Sequence, residues 1–293
     1  MVRLSKKRGY LYAILVSVLW GLSFIGSKEA MAGGFDTFSL VAVRFILASV
    51  VLLISAGVQK ISLKVEKRDI LPLFITSVTG ITLYYFFELK GLQNTSASVA
   101  SLIISTIPVF SLLTAVVLYK KRPPLLTWIG VALSLLGVYM VVFNGAGTNS
   151  IMGCLVLFGG CICWVSYLEM TDRLMKKYSN TCVTFWQSAL SLLTAIPMAL
   201  TENVKWTAIP LNAWLWALIF LGLVCSYLCF MMNNQSVAIL TPQVNSVFLN
   251  LSPVATAVGG WLVLGETITP VQLLGGAVIL TALFIISFSD RKK

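Results

Sequence analysis

The second half of this chain replays the first. Displacing the sequence by 144 residues sets Gly9 on Gly153, Leu11 on Leu155, Trp20 on Trp164, Met31 on Met175 and Thr37 on Thr181. A displacement of 145 continues the match, with Ser101 on Ser246, Pro108 on Pro253, Val109 on Val254, Gly130 on Gly275 and Ala132 on Ala277. The chain reads as one unit written twice, over 1–145 and 146–293, with a single-residue insertion between the matching blocks.

Each unit carries five long apolar stretches. They fall at about 9–28, 38–57, 70–90, 97–118 and 125–143, then 151–171, 181–200, 211–232, 243–264 and 270–289. About 20 apolar residues let an α-helix cross the hydrocarbon of a bilayer. A composition that is 58% hydrophobic and 11% charged, with a mean hydropathy of +0.92, places these helices in lipid rather than in a soluble core. The alternation of a transmembrane β-barrel strand is absent. The fold class expected is an all-α integral membrane protein of ten transmembrane helices. Because five is odd, the second unit enters the membrane upside down relative to the first. Inverted repeats of this kind build many secondary transporters, with substrate held between the halves.

The net charge of +11 is sorted by side. Lys and Arg cluster at 3–8, 60–68, 120–122, 173–177 and 291–293, all on one side of an alternating topology, against Lys28, Lys90 and Lys205 on the other. The positive-inside rule then places both termini in the cytoplasm of a cell membrane, a bacterial inner membrane being expected. The same sorting argues against nucleic acid as a partner. The first helix followed by Ala30-Met31-Ala32 resembles a cleavable signal peptide, but its repeat counterpart at 153–175 makes it part of the folded unit. Six cysteines lie within spans and the chain has no histidine. Small apolar packing is the reading for the cysteines, and neither metal nor cofactor is expected.

Polar residues inside the spans mark a path. Ser98, Ser101 and Ser105 share one face of the fourth helix, and their counterparts Gln243, Ser246 and Asn250 make the same face of the ninth more polar. Serines in membrane helices also serve close packing and bond back to the backbone, so both roles are open. Buried amides need partners, which a substrate cavity or a polar helix contact would supply. Pro108 and Pro253 kink matched helices, and the carbonyl of Leu249 freed by Pro253 is a possible coordination point. Arg44 and Glu88 lie in the outer third of the membrane, where charges pair or face water. They form either a structural ion pair, or a site at which Glu88 takes up a proton or cation while Arg44 holds a carboxylate. Trp20, Tyr84, Tyr85, Trp164, Tyr167 and Trp186 form either aromatic walls for a cationic ligand or interfacial anchors; Trp20 and Trp164, midway along their helices, favour the cavity. Glu29, Asp36 and Glu266, at outer boundaries, are expected to face water.

The duplicated pattern resembles the EamA-type drug/metabolite transporters over nearly the whole chain. The carriers are Trp20-Gly21-Leu22-Ser23-Phe24 and Trp164-Val165-Ser166-Tyr167, Arg44-Phe45, the run Asn94 to Ile103, the pairs Pro108-Val109 and Pro253-Val254, and Leu264-Gly265-Glu266. The resemblance implies gradient-driven movement, usually export, of small metabolites such as amino acids, nucleosides or organic cations. One departure is visible: Tyr119-Lys120-Lys121-Arg122 stands where the first repeat would carry Leu-Gly-Glu.

A secondary transporter of a small polar substrate accounts for most of these features. Trp20, Arg44, Tyr84, Glu88, Ser98, Ser101, Ser105, Trp164, Gln243, Ser246 and Asn250 are its candidate binding residues, with Glu88 the proton-coupling candidate. A membrane-embedded enzyme lacks a base, a carboxylate pair or an activated nucleophile. A scaffold or lipid-handling protein tolerates the repeat but gives no reason for buried charges. Membrane lipids are partners in each case, and a homo-oligomer is possible.

Overall fold

The computed structural model describes residues 6–120, 124–143, 150–240 and 242–290. The expectations placed on Arg3, Lys121, Arg122 and 291–293 lie outside them. The ten helices are α1 (Lys6–Ala32), α2 (Thr37–Val58), α3 (Lys67–Gln93), α4 (Ala97–Ile104 and Ile107–Tyr119), α5 (Leu125–Phe143), α6 (Ile151–Met175), α7 (Asn180–Ala199), α8 (Leu211–Leu240), α9 (Pro242–Phe248, Leu249–Leu251 and Ser252–Leu264) and α10 (Pro270–Asp290). Eight of them are long and apolar enough to cross a membrane, while α5 and α10 contain shorter apolar segments, Leu125–Gly137 and Pro270–Ala282. Leu53, Ile54, Leu135, Leu155, Ile162, Leu193, Trp261 and Leu262 are exposed on the bundle surface. That is a lipid-facing exterior.

The packing follows the repeat, and the main partnerships join one half to the other. α2 packs on α7 and α5 on α10, each pair relating equivalent helices of the two units. α3 and α4 pack on α6, as α8 and α9 pack on α1. Without a hydrophobic force between helices in lipid, close approach depends on small residues and polar crosslinks. Gly91 meets Leu157 and the Gly153 carbonyl where α3 crosses α6. At the equivalent crossing of α8 and α1, the Ser236 hydroxyl donates to the Gly9 carbonyl at 3.0 Å. The coincidence shows that the 145-residue offset already applies at Gly91 and Ser236. Ser252 and Thr256 of α9 donate to the Ser17 and Gly21 carbonyls of α1.

The two helices that carry the repeat-matched prolines both break. α4 is interrupted at Ser105 and Thr106 ahead of Pro108, and α9 tightens into a 3₁₀ turn ahead of Pro253. The Leu249 carbonyl is not left free as expected, because the tightened turn lets it accept from the Ser252 N–H. Two further irregularities were not legible: π-helical stretches at Val78–Leu83 in α3 and Trp216–Leu228 in α8.

Helix ends are tied across the repeats. Gly265 takes a left-handed conformation (φ 63°) that ends α9, and the Glu266 N–H turns back onto the Gly260 carbonyl at 3.0 Å. At the matching end of α4, Lys120 holds the same region (φ 50°). The backbone turn is therefore kept in both repeats although the glycine is not. The turn brings the Glu266 carboxylate onto the N-terminus of α4, where it accepts from the Ala97 and Ser98 amides (2.9 and 3.3 Å) and the Ser98 hydroxyl (3.1 Å), and pairs with Lys28 at 3.1 Å. Glu202 does the same for α2, accepting from the Phe38 and Ser39 amides at 2.7 and 2.8 Å. These carboxylates sit on the positive ends of helix dipoles. Glu266 and Asp36, expected simply to face water, are instead bonded: Asp36 caps α2 and contacts Lys90 and Gln93.

Candidate functional site

Arg44 lies seven residues into α2, about 10 Å along the helix from its start at 1.5 Å per residue. It is fully buried. Its Nε donates to the Ser226 hydroxyl of α8 and its Nη2 to the Tyr85 hydroxyl of α3, each at 3.1 Å, with the guanidinium 4.4 Å from the centre of the Tyr85 ring. Nη1 has no partner. Among the described residues no carboxylate lies within ion-pair distance of Arg44. Glu88, also buried, interacts with the Tyr84 hydroxyl one turn before it and feels Arg44 through space rather than by contact. Of the two readings of this pair, direct ion pairing is not what the geometry shows.

Tyr84 and Tyr85 come together here because the π-helical stretch ends immediately before them, re-aiming the side chains that follow. Gly80 within the stretch lies against the Tyr167 ring of α6; a Cβ there would fall 2.1 Å from Tyr167 Cδ2.

Aromatic rings fill the centre. Trp20 and Trp164, equivalent in the repeat, meet edge to face at 5.2 Å. Trp164 also lies 4.7 Å from Tyr84 and 4.7 Å from Tyr167, while Phe230 touches Trp20 and Phe45. The two indoles differ: Trp20 Nε1 donates to the Cys225 carbonyl at 3.2 Å, whereas the buried Trp164 Nε1 has no partner. Trp20, Tyr84, Tyr85, Glu88, Trp164, Leu249 and Ser252 enclose a cavity of about 20 Å³. That is room for roughly one water. Trp186 stands apart, its Nε1 bonded to the Leu63 carbonyl.

Above this layer, at the end opposite the basic cluster, an open vestibule of about 1000 Å³ is lined by Lys28, Glu29, Asp36, Lys90, Gln93, Glu202 and Glu266 among others. Burial alone would raise the Glu266 carboxyl, but the Ala97 amide and Lys28 pull it below its ordinary value. Asp36 is lowered in the same way, with the Thr37 amide and Lys90 outweighing burial. At the basic end the two halves are tied together. There Asp69 accepts from Lys177 at 2.8 Å and from the Tyr178 hydroxyl at 2.6 Å, and the Tyr178 hydroxyl accepts from the Glu66 amide.

The serine stripe stays off the cavity wall. Ser98 is engaged by Glu266, Ser101 donates to the Ser98 carbonyl at 2.9 Å, and Ser105 donates to the Leu102 carbonyl at 2.7 Å. On α9, Ser246 is buried, and Asn250 has an unpartnered Oδ1 beside Leu249 of the cavity wall. The Gln243 side chain lies outside the described part.

A second polar cluster escaped sequence reasoning. Tyr167 donates to Asn234 Oδ1 at 2.5 Å, Asn234 donates to Thr184 and Gln187, and Gln187 donates to Thr171. Asn245 donates to Asn233 at 2.8 Å. These residues come from α6, α7, α8 and α9; Tyr167 is among the aromatic candidates above, and the polar partners around it are marked by their three-dimensional convergence. Metal-ligating clusters are absent among the described residues, and the six cysteines are free.

Two inverted five-helix units enclosing a buried polar and aromatic site between them define the class of membrane transporters built on inverted repeats. A model of the EamA-like transporter family matches residues 7–143 and again 151–288, so the chain belongs to that family. It is 28% identical over 265 residues to the uncharacterized transporter YdfC of Bacillus subtilis, covering 89% of this chain and 84% of that protein. An uncharacterized transporter of Archaeoglobus fulgidus is 26% identical over 94% of this chain and 96% of its own length. A probable terminal-alkyne amino-acid exporter of Streptantibioticus cattleyicolor is 26% identical over 94% of this chain and 91% of that protein. A solved crystal structure has the same fold, with TM-score 0.74 at 17% identity over 98% of this chain and 99% of that one.

Proposed function

We propose that the protein is a secondary active exporter of small zwitterionic amino acids that works by alternating access between its two repeats. Both termini lie in the cytoplasm of a bacterial inner membrane, so the vestibule faces outward and the basic end, tied by Asp69, Lys177 and Tyr178, faces the cytosol. The carrying observation is Arg44: a fully buried guanidinium with an unpartnered Nη1 and, among the described residues, no carboxylate in contact. A charge at bilayer depth is costly unless paired or solvated, and a substrate carboxylate is the missing partner. Guanidinium forks suit carboxylates in both charge and geometry. The ring faces of Trp20, Tyr84 and Trp164 take the substrate ammonium, and the unpaired Trp164 indole N–H adds a donor. Glu88, carrying no contact ion pair, exchanges the coupled proton. The single-water cavity corresponds to an occluded site that widens when the halves rock. No step breaks a covalent bond, so the protein is not an enzyme. Energy comes from a gradient; the chain carries no Gly-x-x-x-x-Gly-Lys phosphate loop.

The test is thermal unfolding of purified protein against neutral amino acids, their amides, amines, nucleosides and sugars. A ligand bound only to the folded state stabilises by about 2.7 kcal/mol at a hundredfold excess over Kd. Amino acids are expected to raise the melting temperature, their carboxyl-blocked amides to fail, and Arg44→Gln to abolish the response. Stabilisation by amides or amines equal to that by amino acids would remove Arg44 from carboxylate recognition. Silence across the panel would favour a scaffold or lipid-handling role.

A further inference from the structure

The repeat pairs the charged site with a neutral one. At the offsets that hold locally, Arg44 corresponds to Ser188 and Glu88 to Asn233, the second fixed by the equivalent crossings at Gly91 and Ser236. Ser188 and Asn233 are buried, and so is Asn245, which donates to Asn233. All three retain open hydrogen-bonding capacity: the Ser188 hydroxyl, the Asn233 amide Nδ2 and the Asn245 Oδ1. Reversing both amides would only exchange which atoms are open, leaving one donor and one acceptor free. Buried side-chain amides inside a membrane bundle are costly when unsatisfied, and in the bonded Asn245–Asn233 pair a free donor and a free acceptor sit side by side. They lie in the half toward the basic end, where the end of α8 packs on Gly9 at the start of α1. The Tyr167, Trp164 and Tyr84 rings, in successive 4.7 Å contacts, join this cluster to the Glu88 site.

We propose that Asn233 and Asn245 form a second binding station, the uncharged counterpart of the Arg44 and Glu88 site, which takes the carboxylate and ammonium groups of the same amino acid on its way from the basic side. The proposal rests on the transport reading above. The free amide N–H of Asn233 serves the carboxylate, and the free amide oxygen of Asn245 serves the ammonium. Neutral donors hold a carboxylate less tightly than a guanidinium, so this station loads weakly and passes substrate along the ring faces to Arg44. A single symmetric path thus carries unequal affinity at its two ends.

The experiment is exchange in proteoliposomes, with a mixture of radiolabelled neutral L-amino acids as probe, alongside thermal-shift binding of the same mixture. Asn233→Ala is expected to slow exchange at least tenfold while binding stays within threefold of wild type. Asn233→Asp, close to isosteric, is expected to change the pH profile of exchange from that of the wild type by adding a second titrating carboxyl, and it decides the matter should the alanine variant fail to fold. Exchange within twofold of wild type with an unchanged pH profile in Asn233→Asp would overturn the proposal. So would equal loss of binding and exchange in a folded Asn233→Ala. In both cases Arg44→Gln still abolishes binding, so the transport reading survives. Absence of binding by the wild type, or binding retained in Arg44→Gln, overturns the transport reading and this station with it.

Discussion

At the scale of residues, Arg44 and Glu266 show two uses of buried charge. Arg44→Lys keeps the cation but loses the planar fork and its contact with the Tyr85 ring, so it should weaken amino-acid binding at least tenfold, about 1.4 kcal/mol, read as a displaced thermal-shift titration. Glu266 is structural. Its carboxyl is lowered in the folded protein, so its contribution is present in full above the ordinary glutamate range and is lost as pH falls through the lowered folded value. Glu266→Gln should therefore cost about 0.5 to 2 kcal/mol near neutral pH, the range of a helix N-cap, and the deficit should shrink on acidification; a deficit constant with pH would deny the charge its role. Arg44, Glu88, Trp20 and Trp164 were legible as site candidates because charge and indole are rare in the middle of apolar spans. Glu202 and Glu266 were not legible as caps, since their acceptor roles join positions more than 160 residues apart. Nor were Asn233 and Asn234, which sit in an apolar helix with no local signal beyond being amides.

At the scale of elements, hydropathy located all ten helices but not their irregularities. The breaks before Pro108 and Pro253 follow from a missing N–H and ring sterics. The π-helical stretches contain no proline of their own, and the one in α3 sits where Gly80 packs against the Tyr167 ring. Gly80→Ala is accordingly expected to destabilise by about 1 to 3 kcal/mol, the usual cost of overpacking, and to disturb Tyr84 and Tyr85, which follow the stretch. Chemical denaturation and amino-acid binding measured on one sample would check both. Unchanged stability would show that the α3 and α6 contact is looser than this geometry implies. The Leu-Gly-Glu sequence also acquires a physical meaning here: Gly265 supplies the left-handed turn and Glu266 the cap. Repeat one retains the turn at Lys120.

At the scale of the whole molecule, the repeat announced the inverted architecture, and the helix partnerships run mainly between halves. Which end is open could not be read from the sequence, because displacement and hydropathy are the same for either state. The structure holds a vestibule at one end and the Asp69, Lys177 and Tyr178 clasp at the other. The pseudo-twofold relation predicts a partner state in which the ends exchange roles. The direct measurement is of distances between paired spin labels, one pair at Gln93→Cys and Asn203→Cys across the vestibule and one at Ser62→Cys and Lys176→Cys across the basic end, recorded at two pH values with and without amino acid. Alternating access predicts that the vestibule distance shortens in the same population in which the basic-end distance lengthens. Two distances that stay fixed, or that lengthen together, would contradict it.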